Sequence, residues 1–154
     1  MAIKSRRIGE QVDSNTLGRI RVENLSGFAI SAGDILSVVG TNSSAGFLRV
    51  QIAKSDAVAP VFSGMKLVAA HDIADGSTGI AVSWKIVREV DTFALVGGAG
   101  TLGALLFLSD SGTTGNTVAT SQSGSYQATV GQVLTESTGA GKKDGVILLA
   151  PPRY

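Results

Sequence analysis

The apolar positions of this chain fall into short runs whose period is two far more often than 3.6. Ile20 and Val22 alternate with Arg19, Arg21 and Glu23, the pattern of a half-buried strand. Ser26-Gly27 and Ala32-Gly33-Asp34 interrupt the chain before Ile35-Leu36-Ser37-Val38-Val39, and Gly40 to Gly46 reads as a turn by composition. Leu48, Val50 and Ile52 then share one face, with Arg49 and Gln51 on the other. The clearest alternation sets Ile80, Val82, Trp84 and Ile86 against Ala81, Ser83 and Lys85, which predicts one strand with those four side chains on a common face. On that reading Trp84, the only tryptophan, is a core anchor. Thr92 to Val96 is the next apolar segment, ahead of the glycine-rich stretch Gly97 to Gly100.

The last third consists of apolar β-runs separated by glycine and small polar residues: Gly103 to Leu108, Ala128 to Leu134, and Gly145 to Leu149. No stretch sustains i, i+3, i+4, i+7 spacing for three turns, and residues 62–72 allow a single helical turn at most. The chain has 20 glycines in 154 residues, too many to let a helix grow. About ten short strands at roughly 8–12-residue spacing predict an all-β fold, a compact β-barrel or β-sandwich. Residues 1–17 follow neither period and read as an extended N-terminal arm, which leaves 18–154 as a single β domain.

Composition adds a surface argument. Apolar residues make up 44% and charged ones 16%, against roughly 25% charged in an average soluble domain. A surface so short of charge disperses a monomer poorly, so burial against partner subunits is expected. The net charge is +1, unevenly placed. Residues 1–21 hold five basic and two acidic side chains (+3), and the rest of the chain holds eight and ten (−2). Lys4, Arg6, Arg7 and the neighbouring Ile8 fit either a solvated polar tail or an arm that lies on an acidic partner surface. Three clustered charges without interleaved aromatics do not make a nucleic-acid face. No apolar run approaches the roughly 20 residues of a membrane-spanning helix, and the basic N-terminus lacks the apolar stretch of a secretory signal.

Candidate chemistry is sparse. With no cysteine, disulfides, thiolate nucleophiles and Cys-ligated metals are excluded. Gly98-Ala99-Gly100-Thr101-Leu102-Gly103 matches G-x-G-x-x-G, but the apolar segment behind it is too short for the required helix, and no acidic residue lies about 20 positions on. Gly139-Ala140-Gly141-Lys142-Lys143 echoes a P-loop, yet Glu136 and Lys143 stand where glycine and Ser/Thr are needed, so a turn with two solvated lysines is expected. His71 is the only histidine. With Asp72 and Asp75 it offers at most a general base and orienting partner, the basis of a hydrolase reading, but no G-x-S-x-G elbow supplies a nucleophile. A turn whose aspartates cap local backbone amides accounts for the same residues. The Ser/Thr-rich stretch from Ser109 to Thr129 lacks EF-hand spacing, and few aromatics are available for a sugar site. No catalytic residue, cofactor or metal is expected.

The order of segments resembles the small β-rich decoration, or cement, proteins that coat tailed-phage capsids. Gly27-Phe28-Ala29-Ile30-Ser31-Ala32-Gly33-Asp34-Ile35-Leu36 looks like that family's opening, Gly64 to Gly76 like its middle segment, and Gly103 to Gly112, Val130-Gly131-Gln132-Val133-Leu134 and Val146 to Leu149 like its closing module. The resemblance implies a non-enzymatic virion protein on the outer capsid surface, made in the host cytoplasm. It also implies a trimer that bridges neighbouring major capsid protein subunits. Lys4, Arg6, Arg7 and Ile8 are the capsid-contacting residues expected in the arm. The competing expectation is a phage tail, baseplate or fibre-associated module that binds receptors or carbohydrate.

Overall fold

The computed structural model describes residues 18–54, 65–96, 102–109, 118–119 and 129–151. The fold is all-β, as the alternation predicts. Strands β1 (Arg19–Asn24), β2 (Ile35–Asn42), β3 (Phe47–Ile52), β4 (Lys66–Ala69) and β5 (Thr78–Val82) close a barrel in the order β1-β3-β2-β4-β5. Strands β6 (Lys85–Val90), β7 (Leu105–Leu108), β8 (Val118–Ala119), β9 (Thr129–Thr135) and β10 (Gly145–Leu149) form a second sheet in the order β6-β10-β9-β7-β8. The choice between barrel and sandwich thus resolves as a barrel with a sheet packed on it. Every pairing in the barrel is antiparallel except β1 with β3.

Alternation along β2 and β4 explains why these strands are buried on both faces. Leu36, Leu67 and Ala69 point into the barrel, where they meet Val22, Ile30, Val50, Ile52, Ile73 and Ala81. Ile35 and Val68, directly paired across the two strands, point the other way. They join Ala53 in a second cluster with Leu106, Leu108, Val130, Val133, Ile147 and Leu149 of the sheet. The barrel wall is therefore also the floor under the sheet.

Lys66 shares the outer face of β4 with Val68 and pairs with the buried Ser37. Desolvation there lowers its pKa from 10.5 to about 8. Between those values the unfolded chain holds a proton that the folded one has released, so stability should rise with pH across that window. Denaturant titrations from below pH 8 to above pH 10.5 should show this rise in the wild type and lose it in Lys66→Met. An equal rise in the variant would assign the effect elsewhere.

Four local expectations need correction. The expected strand over 80–86 is two strands, β5 and β6, separated at Ser83-Trp84 and belonging to different sheets. Trp84 and Ile86 are exposed and anchor no core. The break comes because Ser83 is buried against Gly18, its amide donating to the Gly18 carbonyl, as the chain leaves the barrel. Residues 66–69 form strand β4 rather than a helical turn, because both faces of this apolar segment find cover. β2 runs on through Gly40, Thr41 and Asn42 past a register shift, so the turn is confined to residues 43–46. Thr92–Val96 is one short helix, α1, whose start is capped by Asp91: its Oδ1 accepts the Ala94 amide at 3.1 Å.

Candidate functional site

His71 is held as a structural residue. Its Nε2 accepts the Ile80 amide at 3.0 Å, which leaves Nδ1 to carry the proton and donate to the Asp72 carbonyl at 2.7 Å. Both ring nitrogens serve the backbone. Asp72 and Asp75 point away from the ring: their Oδ1 atoms accept the Ala32 and Gly27 amides at 2.8 and 3.0 Å. The aspartates do cap backbone amides, but amides 40 and 48 positions away rather than local ones. They tie the 27–34 loop to the 71–76 loop, alongside the reciprocal Ile30–Ile73 backbone pair. Two of the segments that carry the family resemblance are thus one packed unit.

The nucleotide motifs dissolve in the same way. Leu102-Gly103 turns into strand β7 rather than into a helix. At the P-loop echo, Gly141 takes a φ of 77° in a turn, Asp91 Oδ2 accepts its amide at 2.9 Å, and Lys142 and Lys143 are exposed. Among the described residues, no three His, Cys, Asp or Glu side chains converge on a metal position. The arm residues Lys4, Arg6, Arg7 and Ile8 lie outside the described residues, as does most of the Ser/Thr-rich stretch.

What remains is surface, and it is not ordinary surface. Cross-strand pairing places Ile86 of β6 opposite Leu148 of β10, Leu148 opposite Gln132 of β9, and Gln132 opposite Leu105 of β7. Directly opposed residues share a face. This row lies on the side away from Ile147, Leu149, Val133 and Leu106, which fill the core beneath the sheet. Ile86 is 43% exposed, Leu105 51% and Leu134 37%, while Leu148 and Val146 are half-buried. Gln132 is held flat by its Nε2, which donates to the Gly103 carbonyl at 3.1 Å. An antiparallel sheet with one solvated face ordinarily carries polar residues there. This one carries leucine, isoleucine and valine.

A second feature adjoins it. Trp84, immediately before β6, is 58% exposed, the largest apolar side chain the described surface displays. Ser83 beside it sits against Gly18, the residue immediately before β1. A Cβ on Gly18 would come within 2.7 Å of the Ser83 hydroxyl, so the contact at this junction is tight. The charged side chains of the barrel wall nearby are largely matched: Arg49 Nε bonds Glu23 Oε2 at 3.0 Å, and the Arg21 guanidinium lies 5.1 Å from the Phe47 ring centroid.

No protein-family model matches the chain, and no curated protein matches it. Among solved structures, the head fiber gp8.5 N base of bacteriophage phi29 is similar at 14% sequence identity and a TM-score of 0.49, with 88% of this chain and 93% of that chain covered.

The outward row is not marked in the sequence by polar–apolar alternation. The signal was in its absence: Leu105-Leu106-Phe107-Leu108 and Val146-Ile147-Leu148-Leu149 do not alternate at all. Unbroken runs of that kind belong to strands covered on both faces. Trp84 left no such signal, since only the change of sheet at Ser83 turns it outward.

Proposed function

We propose that this chain is a structural virion protein that binds the outer surface of a phage capsid, stabilises it by bridging neighbouring major capsid protein subunits, and does so as a trimer. The observation that carries the reading is the exposed Trp84 beside the Ser83–Gly18 contact at the start of the barrel, the point in the sequence that the basic N-terminal segment precedes. Tryptophan is enriched among residues that dominate binding energy, because it buries a large rigid surface at small entropic cost. A bridging protein needs such an anchor near a strap able to reach across a seam. Lys4, Arg6 and Arg7 supply the strap's charge and Ile8 an apolar contact. The segment pattern shared with capsid decoration proteins supports the same reading.

Trp84→Ala should alter stability by less than about 0.5 kcal/mol, since the ring is mostly in water. It should nevertheless weaken capsid binding on the order of 30-fold or more, as loss of a 2 kcal/mol anchor does. Deleting residues 1–17 should give a folded protein that binds capsids poorly. Co-sedimentation with purified capsids, alongside thermal melts of each variant, measures both effects. Equal shell occupancy by all three proteins would refute the Trp84 anchor and the strap, and absence of the wild type from the shell would end the capsid reading.

The exposure of Trp84 also favours a second reading, a tail or fibre-associated module with the ring as a platform for carbohydrate. Glycan-array binding that disappears in Trp84→Ala, with no capsid binding in any form, would select it.

A further inference from the structure

We propose that the outward face of the second sheet is where copies of this chain meet, with the row Ile86, Leu148, Gln132 and Leu105 turned toward the three-fold axis on which the copies converge. This deepens the oligomeric part of the proposed function by naming the contact, and it is separate from the Trp84 corner assigned to the capsid.

Three observations select a second copy as the occupant. The first is charge. None of the four residues in the row is ionisable, and Leu134 and Val146 beside them are apolar. That row meets its own copy without repulsion, whereas a basic or acidic patch would not, and Arg88, exposed two residues along β6 from Ile86, is a charge at its edge. Interfaces between unlike, separable partners carry about as much polar area as any surface, but those between copies have a more apolar centre.

The second is texture. β10 has Ile147 and Leu149 in the core and Val146 and Leu148 on the opposite face, so its composition is that of a strand buried on both sides. The barrel wall shows what that composition means in this protein: β2 and β4 set Leu36 and Leu67 on one face and Ile35 and Val68 on the other, and both faces are covered.

The third is size. Four strands about 4.8 Å apart and five residues rising about 3.3 Å each present roughly 300 Å² in projection. A standard interface takes about 800 Å² from each partner, with a polar rim around an apolar centre. A patch of this area has the right proportion for that centre. Around a three-fold axis each such face packs against those of the two other copies, sheets lying about 10 Å apart.

The test uses the full chain. By analytical ultracentrifugation at tens of micromolar, the wild type should sediment as two or more chains, and Leu105→Glu as a single chain of 15.7 kDa with an unchanged circular dichroism spectrum. A glutamate buried in such a contact should weaken association by on the order of 100-fold or more. Because the chain has no cysteine, Gln132→Cys introduces one thiol per copy at the centre of the face. A bis-maleimide spanning about 10 Å should couple two copies there and should not couple Ser44→Cys in the exposed barrel turn. If Leu105→Glu fails to fold, the crosslink decides alone.

A wild type that stays at 15.7 kDa overturns the proposal, as does an oligomer whose mass Leu105→Glu leaves intact, or equal crosslinking through residues 132 and 44. So does a monomeric wild type that Leu105→Glu unfolds, which would mean that the chain's own segments cover the face. These outcomes are independent of capsid binding. A monomer that still decorates capsids refutes this inference alone, and an oligomer that never binds them refutes the capsid reading alone.

Discussion

Replacing Gly131 by alanine is expected to cost about 3 kcal/mol or more and to disrupt the second sheet. Gly131 lies in β9 between Leu149 of β10 and Leu106 of β7, and the register shifts on either side of it. A Cβ there would be driven into the backbone carbonyl of Leu148 and would also press on the Leu149 side chain. A side-chain tip can swing aside, but a ladder carbonyl cannot without giving up strand pairing. For a chain of this size the loss corresponds to a fall in Tm of roughly 6–12 °C. Gly141→Ala is the control: its φ of 77° disfavours alanine by about 1–2 kcal/mol, but the space around it is open. Melting curves for the two variants should separate clearly. A Gly131→Ala protein that melts no lower than Gly141→Ala would show that β9 does not approach β10 this closely.

Asn24→Asp should be comparably damaging, for an electrostatic reason. Asn24 is fully buried at the end of β1. Its Nδ2 donates to the carbonyls of Phe28, Ile73 and Ala74 at 2.9, 3.1 and 3.2 Å, and its Oδ1 accepts the Ser26 amide at 2.8 Å. One amide thus joins the loop after β1 to the loop before β5. An aspartate would turn a negatively charged oxygen toward those carbonyls, at a cost of about 3–5 kcal/mol at neutral pH. The same clash would raise the new carboxyl's pKa in the folded state. Its protonated form is therefore favoured on folding, and the variant's defect should be smallest in acid and grow as pH rises through the raised pKa. Urea titrations at pH 4 and pH 7 for Asn24→Asp, Asn24→Ala and the wild type measure the effect. A defect in Asn24→Asp that did not change with pH would contradict this assignment.

Both sensitive positions are polar or backbone features inside an apolar framework, and neither is conspicuous in the sequence. Gly131 is one of 20 glycines, and nothing in its neighbours marks the carbonyl it must admit. Asn24 closes a stretch that reads simply as alternation. Their importance comes from atoms brought to them from distant parts of the chain, 17 positions away for Leu148 and about 50 for Ala74.

The expected candidate residues fare unequally for related reasons. His71, Asp72 and Asp75 could be identified as turn residues because aspartate and glycine at close spacing favour amide capping. Which amides they cap depends on how the 27–34 loop returns to them. Trp84 misled because period two predicts which residues share a face only while the strand continues. At Ser83 the chain passes from barrel to sheet, and the face is redefined there.

Sequence alone determined the class of this fold: alternation and frequent glycine exclude long helices and require short strands, since both effects act over a few residues. It also determined the surface character, because a chain with so little charge cannot clothe itself in charge. Tertiary structure alone decided which apolar residues became core and which stayed exposed. A leucine has the same affinity for any dry neighbour, so only the arrangement of strands dictates whether Leu106 meets the barrel and Leu105 meets solvent.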